Sequence, residues 1–226
     1  MNKLLVANWK CNPTTLADAK KLFNAVKKTK VVICPPFVYI SKFKIQNSKL
    51  QLGAQDCFWE EKCPYTGEIS PRMLKDLRVA YVIIGHSERR KYFKETDEMI
   101  NKKLKAALKV GLRPILCIGE NKGQDAKRVV NSQLKKDLKG IAKNDLKKII
   151  IAYEPVWAIG TGNFCSAGKA NKIRQFIKEK LNNRILYGGS ADSKIAKDYI
   201  KIGFDGLLVG GASLKIKEFI KIVENV

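Results

Sequence analysis

One carboxylate, one imidazole and one ammonium stand where short apolar runs of this sequence end. Glu154 closes the run that starts at Ile149, and Pro155 follows it directly. Proline disfavours helix at the residue before it, so the carboxylate sits where a strand stops and a loop begins. Val156, Trp157, Ala158 and Ile159 come next, then a Gly160-Thr161-Gly162 tip, giving a segment able to fold over the acid. His86, the sole histidine, follows the run Val79–Gly85 and opens the polar turn Ser87-Glu88-Arg89-Arg90. Backbone N–H groups of such a turn can hold an imidazole neutral, making it a hydrogen-bond donor and proton shuttle. Asn8 and Lys10 end the first apolar run. Taken singly, each residue has an ordinary structural reading: a packed histidine, a solvated lysine, a turn asparagine. Taken together at strand ends, they point to proton-transfer chemistry.

Two glycine segments add a second kind of group. Gly188-Gly189-Ser190 and Gly210-Gly211-Ala212-Ser213 each lie between an apolar run and a helical pattern. Backbone N–H groups approach an anion closely only where side chains are missing, so both read as phosphate cradles, with a tight turn as the alternative.

These residues need elements that deliver them to one place. The apolar runs Lys3–Trp9, Val31–Cys34, Leu50–Ala54, Val79–Gly85, Arg113–Ile118, Lys148–Tyr153, Arg184–Gly188 and Asp205–Val209 are rich in Val, Ile and Leu without strict alternation. That is the pattern of parallel strands buried on both faces. Spacings of three and four residues predict helices over Leu16–Val26, Asp97–Leu108, Val129–Leu138, Ala170–Leu181 and Leu214–Val223. Weaker patterns cover Val38–Phe43, Pro71–Leu77 and Ser193–Ile202. Ser70-Pro71 marks a helix start by its cap and first-turn proline, and Asn12-Pro13 and Asp192-Ser193 mark others less sharply.

Eight strand–helix units with no linker predict an α/β fold, a single (β/α)8 barrel domain over residues 1–226. The rival is an open doubly wound sheet, which would carry a glycine fingerprint after its first strand. Here that strand ends in Asn8-Trp9-Lys10-Cys11-Asn12. In a barrel, chemistry belongs at the carboxyl ends of the strands, where Asn8, Lys10, His86, Glu154 and both glycine segments stand.

Composition narrows the function classes. The chain carries 44 Lys and Arg against 21 Asp and Glu, a net charge of +23. Lysines recur along the helical patterns, as at Lys102-Lys103 and Lys135-Lys136, and form no single patch with interleaved aromatics. A solvated lysine surface is the favoured reading and no nucleic-acid partner is expected. No apolar run approaches the ~20 residues that span a bilayer, and the start is too short in apolar residues for a signal peptide. The expected location is cytoplasmic, without a membrane partner. Cys11, Cys34, Cys57, Cys63, Cys117 and Cys165 are scattered without a CxxC pair, as expected of reduced, mostly buried thiols and no metal site. Gly160-Thr161-Gly162 has Cys165 where a dinucleotide fingerprint needs its third glycine, so no such cofactor is expected. The nucleophile elbow of hydrolases and the P-C-x-x-C of zinc deaminases are both missing.

Asn8-Trp9-Lys10, IIGHSERR at 83–90, CIGE at 117–120, AYEPVWAIGTG at 152–162, LYGGS at 186–190 and LVGGASL at 208–214 closely resemble the triosephosphate isomerase family, in the family's order along the whole chain. The resemblance implies a TIM barrel and interconversion of dihydroxyacetone phosphate and D-glyceraldehyde 3-phosphate without cofactor or metal, in glycolysis and gluconeogenesis. It implies that Glu154 is the base, that neutral His86 moves protons between the two substrate oxygens, and that Lys10 with Asn8 stabilises an enediolate. Substrate and its phosphate would lie on Asn8, Lys10 and the backbone at Gly160, Gly189, Ser190, Gly210 and Gly211, under a lid running from Pro155 to Gly162. The loop Cys57–Ile69, through Tyr65, Thr66 and Gly67, would reach into a second copy of the chain, implying a homodimer with Thr66 near the partner's catalytic residues.

Three departures accompany the resemblance. The chain is shorter than is usual for the family, Asn163-Phe164-Cys165 replaces a hinge that begins with lysine, and Asp56 stands where asparagine is common. The alternatives are another phosphosugar isomerase or aldolase on the same barrel, and a basic barrel that binds nucleic acid. A Schiff-base aldolase would require a lysine on the sixth strand, where Glu154 stands.

Overall fold

The computed structural model describes residues 3–46, 48–62, 64–160 and 163–226. Among these, eight strands form one closed parallel barrel in sequence order: β1 (Leu4–Asn8), β2 (Val31–Cys34), β3 (Gln51–Ala54), β4 (Tyr81–Ile84), β5 (Arg113–Ile118), β6 (Ile150–Tyr153), β7 (Ile185–Tyr187) and β8 (Gly206–Val209). The ring shuts where β8 pairs with β1, with Leu4 opposite Gly206 and Ala7 opposite Val209. That seam requires glycine at 206, because a Cβ there would lie 1.9 Å from the Leu4 carbonyl oxygen. The barrel expected from the eight apolar runs is therefore the fold observed.

The strands are apolar on both sides because each side packs a separate core layer. Val6, Val32, Ile83, Ile115, Ala152, Leu186 and Leu208 fill the barrel interior. Leu5, Ile33, Ile84, Leu116, Ile151 and Leu207 pack outward against the helices. This two-sided burial removes the alternation that a half-exposed strand would show.

Ten helices connect the strands: α1 (Leu16–Val26), α2 (Phe37–Ile40), α3 (Pro71–Asp76), α4 (Ser87–Tyr92), α5 (Asp97–Lys109), α6 (Ala126–Asp137), α7 (Lys143–Leu146), α8 (Ala167–Lys180), α9 (Ala196–Lys201) and α10 (Ile216–Glu224) among the described residues. Ser70 caps α3 as expected, its side chain accepting from Met73 N. The start of α1 differs: Thr15, not Asn12, is its cap. Asp192 likewise serves a turn ahead of α9, accepting from Ile195 N at 3.0 Å. The short helices α4 and α7 were missed by periodicity, since SERRKY and KNDL hold too few apolar residues to define a face. Among the described residues no helix is long and apolar enough to cross a membrane.

Candidate active site

The carboxyl end of β1 supplies the cation. Asn8 is buried, and its Oδ1 accepts from Lys10 N at 3.0 Å, closing a turn in which Lys10 adopts a φ of 53°. A non-glycine residue in this left-handed region is strained, and the surroundings must hold it there. Gln55 does so from the end of β3, donating to the carbonyls of Lys10 and Cys34, each at 2.8 Å. The Lys10 ammonium then reaches across to an ion pair with Oε1 of Glu88.

His86 is the residue on which α4 begins. Its Nδ1 accepts from Glu88 N at 3.2 Å, and its side chain is buried. A ring nitrogen that accepts carries no proton, so this bond assigns the neutral tautomer with the proton on Nε2. Nε2 faces Oε1 of Glu154 at 3.3 Å.

Glu154 is 1% exposed, just beyond the end of β6. Its Oε2 accepts from Ser87 N at 3.1 Å, also in the first turn of α4, while Oε1 makes no hydrogen bond. Cys117, at the end of β5, lies beside this carboxylate. Burial, then the charge of Glu154, push its thiol far above the ordinary range, so it stays protonated. Glu120 anchors the next segment, accepting from Tyr153 OH at 3.1 Å and from Trp157 Nε1 at 2.9 Å.

Asn8, Lys10, His86, Gly160, Gly189, Ser190, Gly210 and Gly211 all line one cavity of about 330 Å³. Glu154 does not line that cavity but a second one of about 330 Å³, with Ser87 and Gly119, and its link to the first is the 3.3 Å approach of Oε1 to His86 Nε2. The segment Pro155 to Gly160 contributes Val156 to the lining of the second cavity and Ile159 and Gly160 to that of the first, with Val156–Ala158 in a single 3₁₀ turn. Ser190 fastens it, its hydroxyl donating to the Ala158 carbonyl at 2.5 Å and accepting from Gly160 N at 3.1 Å. The backbone N of Ser190 also donates to that carbonyl, at 3.3 Å. Two of the five amides read as phosphate donors, Gly160 and Ser190, are thus engaged with this segment. Thr161 and Gly162, the end of the expected lid, lie outside the described residues. Beyond them Phe164 lines the cavity, and the Cys165 carbonyl accepts from Tyr199 OH at 2.7 Å.

The loop after β3 stands apart from this cavity. Its base is closed by Phe58 N donating to the Ile69 carbonyl at 2.8 Å, and Phe58 packs on both Trp59 and Tyr65. Tyr65, Thr66 and Gly67 are exposed at its tip. Asp56, at its root, joins a buried cluster. Asp56 Oδ2 contacts Lys103 Nζ at 2.6 Å and Arg89 Nε at 2.8 Å, and Glu95 Oε1 contacts the same two groups at 2.5 and 2.6 Å. Burial pushes the Asp56 carboxyl up to about 6, against the attraction of Lys103. For Glu95 burial acts in the same direction, but the hydrogen bond and charge of Lys103 outweigh it and hold the acid below its ordinary range. Cys63 of this loop lies outside the described residues.

Sequence reasoning singled out none of Gln55, Glu88, Cys117 and Glu120 as part of the site. Glu88 carried the clearest available signal, two residues from the histidine in a polar turn. Cys117 and Glu120 stood in the CIGE segment of the resemblance without a role, and Gln55 carried no signal, because its partners are fixed by strand order and not by spacing.

The protein family whose sequence pattern matches residues 3–226 is described as triosephosphate isomerase. The chain is 44% identical to the triosephosphate isomerase of Dictyoglomus turgidum over 247 aligned positions, covering 99% of each chain. To that of Thermoanaerobacter sp. (strain X514) it is 46% identical over 242 positions, covering 97% of this chain and 98% of the relative. To that of Dehalococcoides mccartyi (strain BAV1) it is 46% identical over 247 positions, covering 98% of this chain and 96% of the relative. Alignments of 247 positions against 226 residues mean that these relatives have segments this chain lacks, in keeping with the shortness noted above. With a closed eight-stranded parallel barrel, a match from residue 3 to residue 226 and full-length relatives of one name, the chain belongs to the triosephosphate isomerase family and is an isomerase.

Proposed function

We propose that Glu154, His86, Lys10 and Asn8 carry out the interconversion of dihydroxyacetone phosphate and D-glyceraldehyde 3-phosphate in this chain, acting as a cytoplasmic homodimer. A proton beside a carbonyl is weakly acidic, and a carboxylate removes it only if the developing oxyanion is stabilised in place. Glu154 takes that proton from one carbon and returns it to the next. The ammonium of Lys10 and the Nε2–H of His86 face the growing charge, and His86 passes a proton between the two oxygens. Asn8 holds the turn that presents Lys10.

The observation that carries this reading is the meeting of Glu154 Oε1 and His86 Nε2 at 3.3 Å, with Nδ1 already occupied by Glu88 N. Base and proton shuttle then address one small substrate. Its phosphate would rest on the backbone at Gly160, Gly189, Ser190, Gly210 and Gly211, with the Gly160 and Ser190 amides exchanging their present partners for phosphate oxygens. The segment from Pro155 onward would act as the lid that excludes water from the enediolate.

Exposed apolar side chains support the homodimer. Val38, Tyr65, Met73, Tyr92 and Phe93 are exposed on the connections that follow β2, β3 and β4, a concentration expected of a contact surface. The five free cysteines among the described residues fit a reducing compartment.

A coupled assay with glyceraldehyde 3-phosphate, run with and without chelator, tests the reading. Turnover in both directions, unchanged by chelator, is expected. No turnover, or a lysine adduct trapped by borohydride, would replace the isomerase mechanism with another.

A further inference from the structure

The geometry points to Gln133 as a positioning residue for Glu154, acting through Gly119. Just past the barrel rim, the tips of β5 and β6 stay paired. Glu154 N donates to the Ile118 carbonyl at 2.8 Å, and Val156 N donates to the Glu120 carbonyl at 3.0 Å. Between these two bonds lies Gly119, whose own N–H and C=O both pair with α6. Gln133 on α6 takes the two together: its Oε1 accepts from Gly119 N at 2.9 Å, and its Nε2 donates to the Gly119 carbonyl at 3.2 Å. A primary amide is the neutral side chain that offers an acceptor and a donor side by side, so Gln133 completes the ladder as a further strand would.

The coupling to Glu154 is steric. A Cβ on residue 119 would lie 1.7 Å from the Glu154 carbonyl oxygen and 2.5 Å from its carbonyl carbon, so the two backbones are in direct contact. Any displacement of Gly119 therefore moves the main chain from which the carboxylate hangs. The cavity of about 330 Å³ lined by Gln133, Gly119 and Glu154 leaves room for water if the amide is removed. Water would satisfy Gly119 without holding it still. The expected signature of losing Gln133 is a misplaced base and not an unfolded chain.

This inference rests on Glu154 being the base, and the experiment separates the two. Gln133→Met keeps the length and removes both bonds. It should lower kcat roughly ten- to a hundredfold, since misplacing a reacting group by about 1 Å has that cost. KM should stay within roughly twofold, because the substrate cavity is untouched. Gln133→Glu gives the sharper readout. Its protonated carboxyl offers one acceptor and one donor, restoring both bonds, whereas its ionised form can only accept and opposes the Gly119 carbonyl. Its kcat should approach wild type at low pH and fall as that carboxyl ionises, a limb lacking in wild type and in Gln133→Met. Thermal melts across the same pH range distinguish this from unfolding. A kcat in Gln133→Met within roughly twofold of wild type overturns the inference, as does a loss in either variant that merely follows the melting temperature. Glu154→Gln is the control. Wild-type turnover in it would remove the base assignment, whereas an inactive Glu154→Gln beside an active Gln133→Met would remove only the role of Gln133.

Discussion

Glu154 is held by one oxygen and left open at the other. Ser87 N fixes Oε2, so Oε1 points toward His86 with no partner of its own. An unpartnered buried carboxylate oxygen is costly, and here it is the atom that would accept a proton. Glu154→Asp keeps the charge but withdraws the carboxylate from this position. We expect kcat to fall about a hundredfold with KM nearly unchanged, because the loss lies in transition-state geometry. Steady-state kinetics check this. A raised KM with unchanged kcat would instead place Glu154 among substrate-binding groups.

At the scale of elements, α4 does more than its six residues suggest. Its first turn provides the N–H that sets the His86 tautomer and the N–H that holds Glu154, and Glu88 pairs with Lys10. Arg90 ties the helix to Asp97 of α5 and Asp137 of α6. Arg89 ties it to the cluster at the root of the loop after β3, where two carboxylates share one ammonium and one guanidinium. The Asp56 carboxyl, raised to about 6, binds a proton more tightly in the folded chain than in the unfolded one, where about 4 is usual. Its ionisation therefore opposes folding above pH 6, and the penalty disappears as pH falls toward 4. Asp56→Asn removes this dependence. The variant should melt above wild type at pH 7 to 8, with the difference shrinking between about pH 6 and 4. A difference that does not change with pH would deny Asp56 that role.

The paired tips of β5 and β6 offer a second test at the same scale. Gly119→Ala forces a methyl into the Glu154 carbonyl and should destabilise the fold by about 3 kcal/mol or more, measured by urea unfolding. A loss under about 1 kcal/mol would mean that the two tips part without cost.

For the whole molecule, the exposed large apolar residues other than Phe164 fall, among the described residues, on the connections after β2 to β4, whereas the cavity that holds Lys10 and His86 is lined mainly from the ends of β1 and β4 and from the connections after β6 to β8. The two faces are adjacent around one ring, so a contact at the first would brace the loops that carry Lys10 and His86. Tyr65→Ser should shift the chain toward monomer in sedimentation, and specific activity should fall with dilution at the same concentrations. A monomer of full activity would separate catalysis from assembly.

The sequence by itself determined where strands end. Eight apolar runs free of alternation demanded a sheet covered on both faces, and Glu154, His86, Lys10 and the two glycine segments stood at their ends, the rim where a barrel of this kind holds its chemistry. Periodicity reports only which way a segment's own side chains face. It stayed silent on α4, too short and too polar for an apolar face, and so on the N–H groups that orient His86 and Glu154. Tertiary structure alone decided that Gln55 would bridge the turn after β1 and the end of β2, that Glu88 would reach Lys10 across 78 residues, and that Gln133 would grip Gly119 beside Glu154. Those partnerships depend on ring closure, which sets strand neighbours and brings side chains remote in sequence within hydrogen-bonding distance.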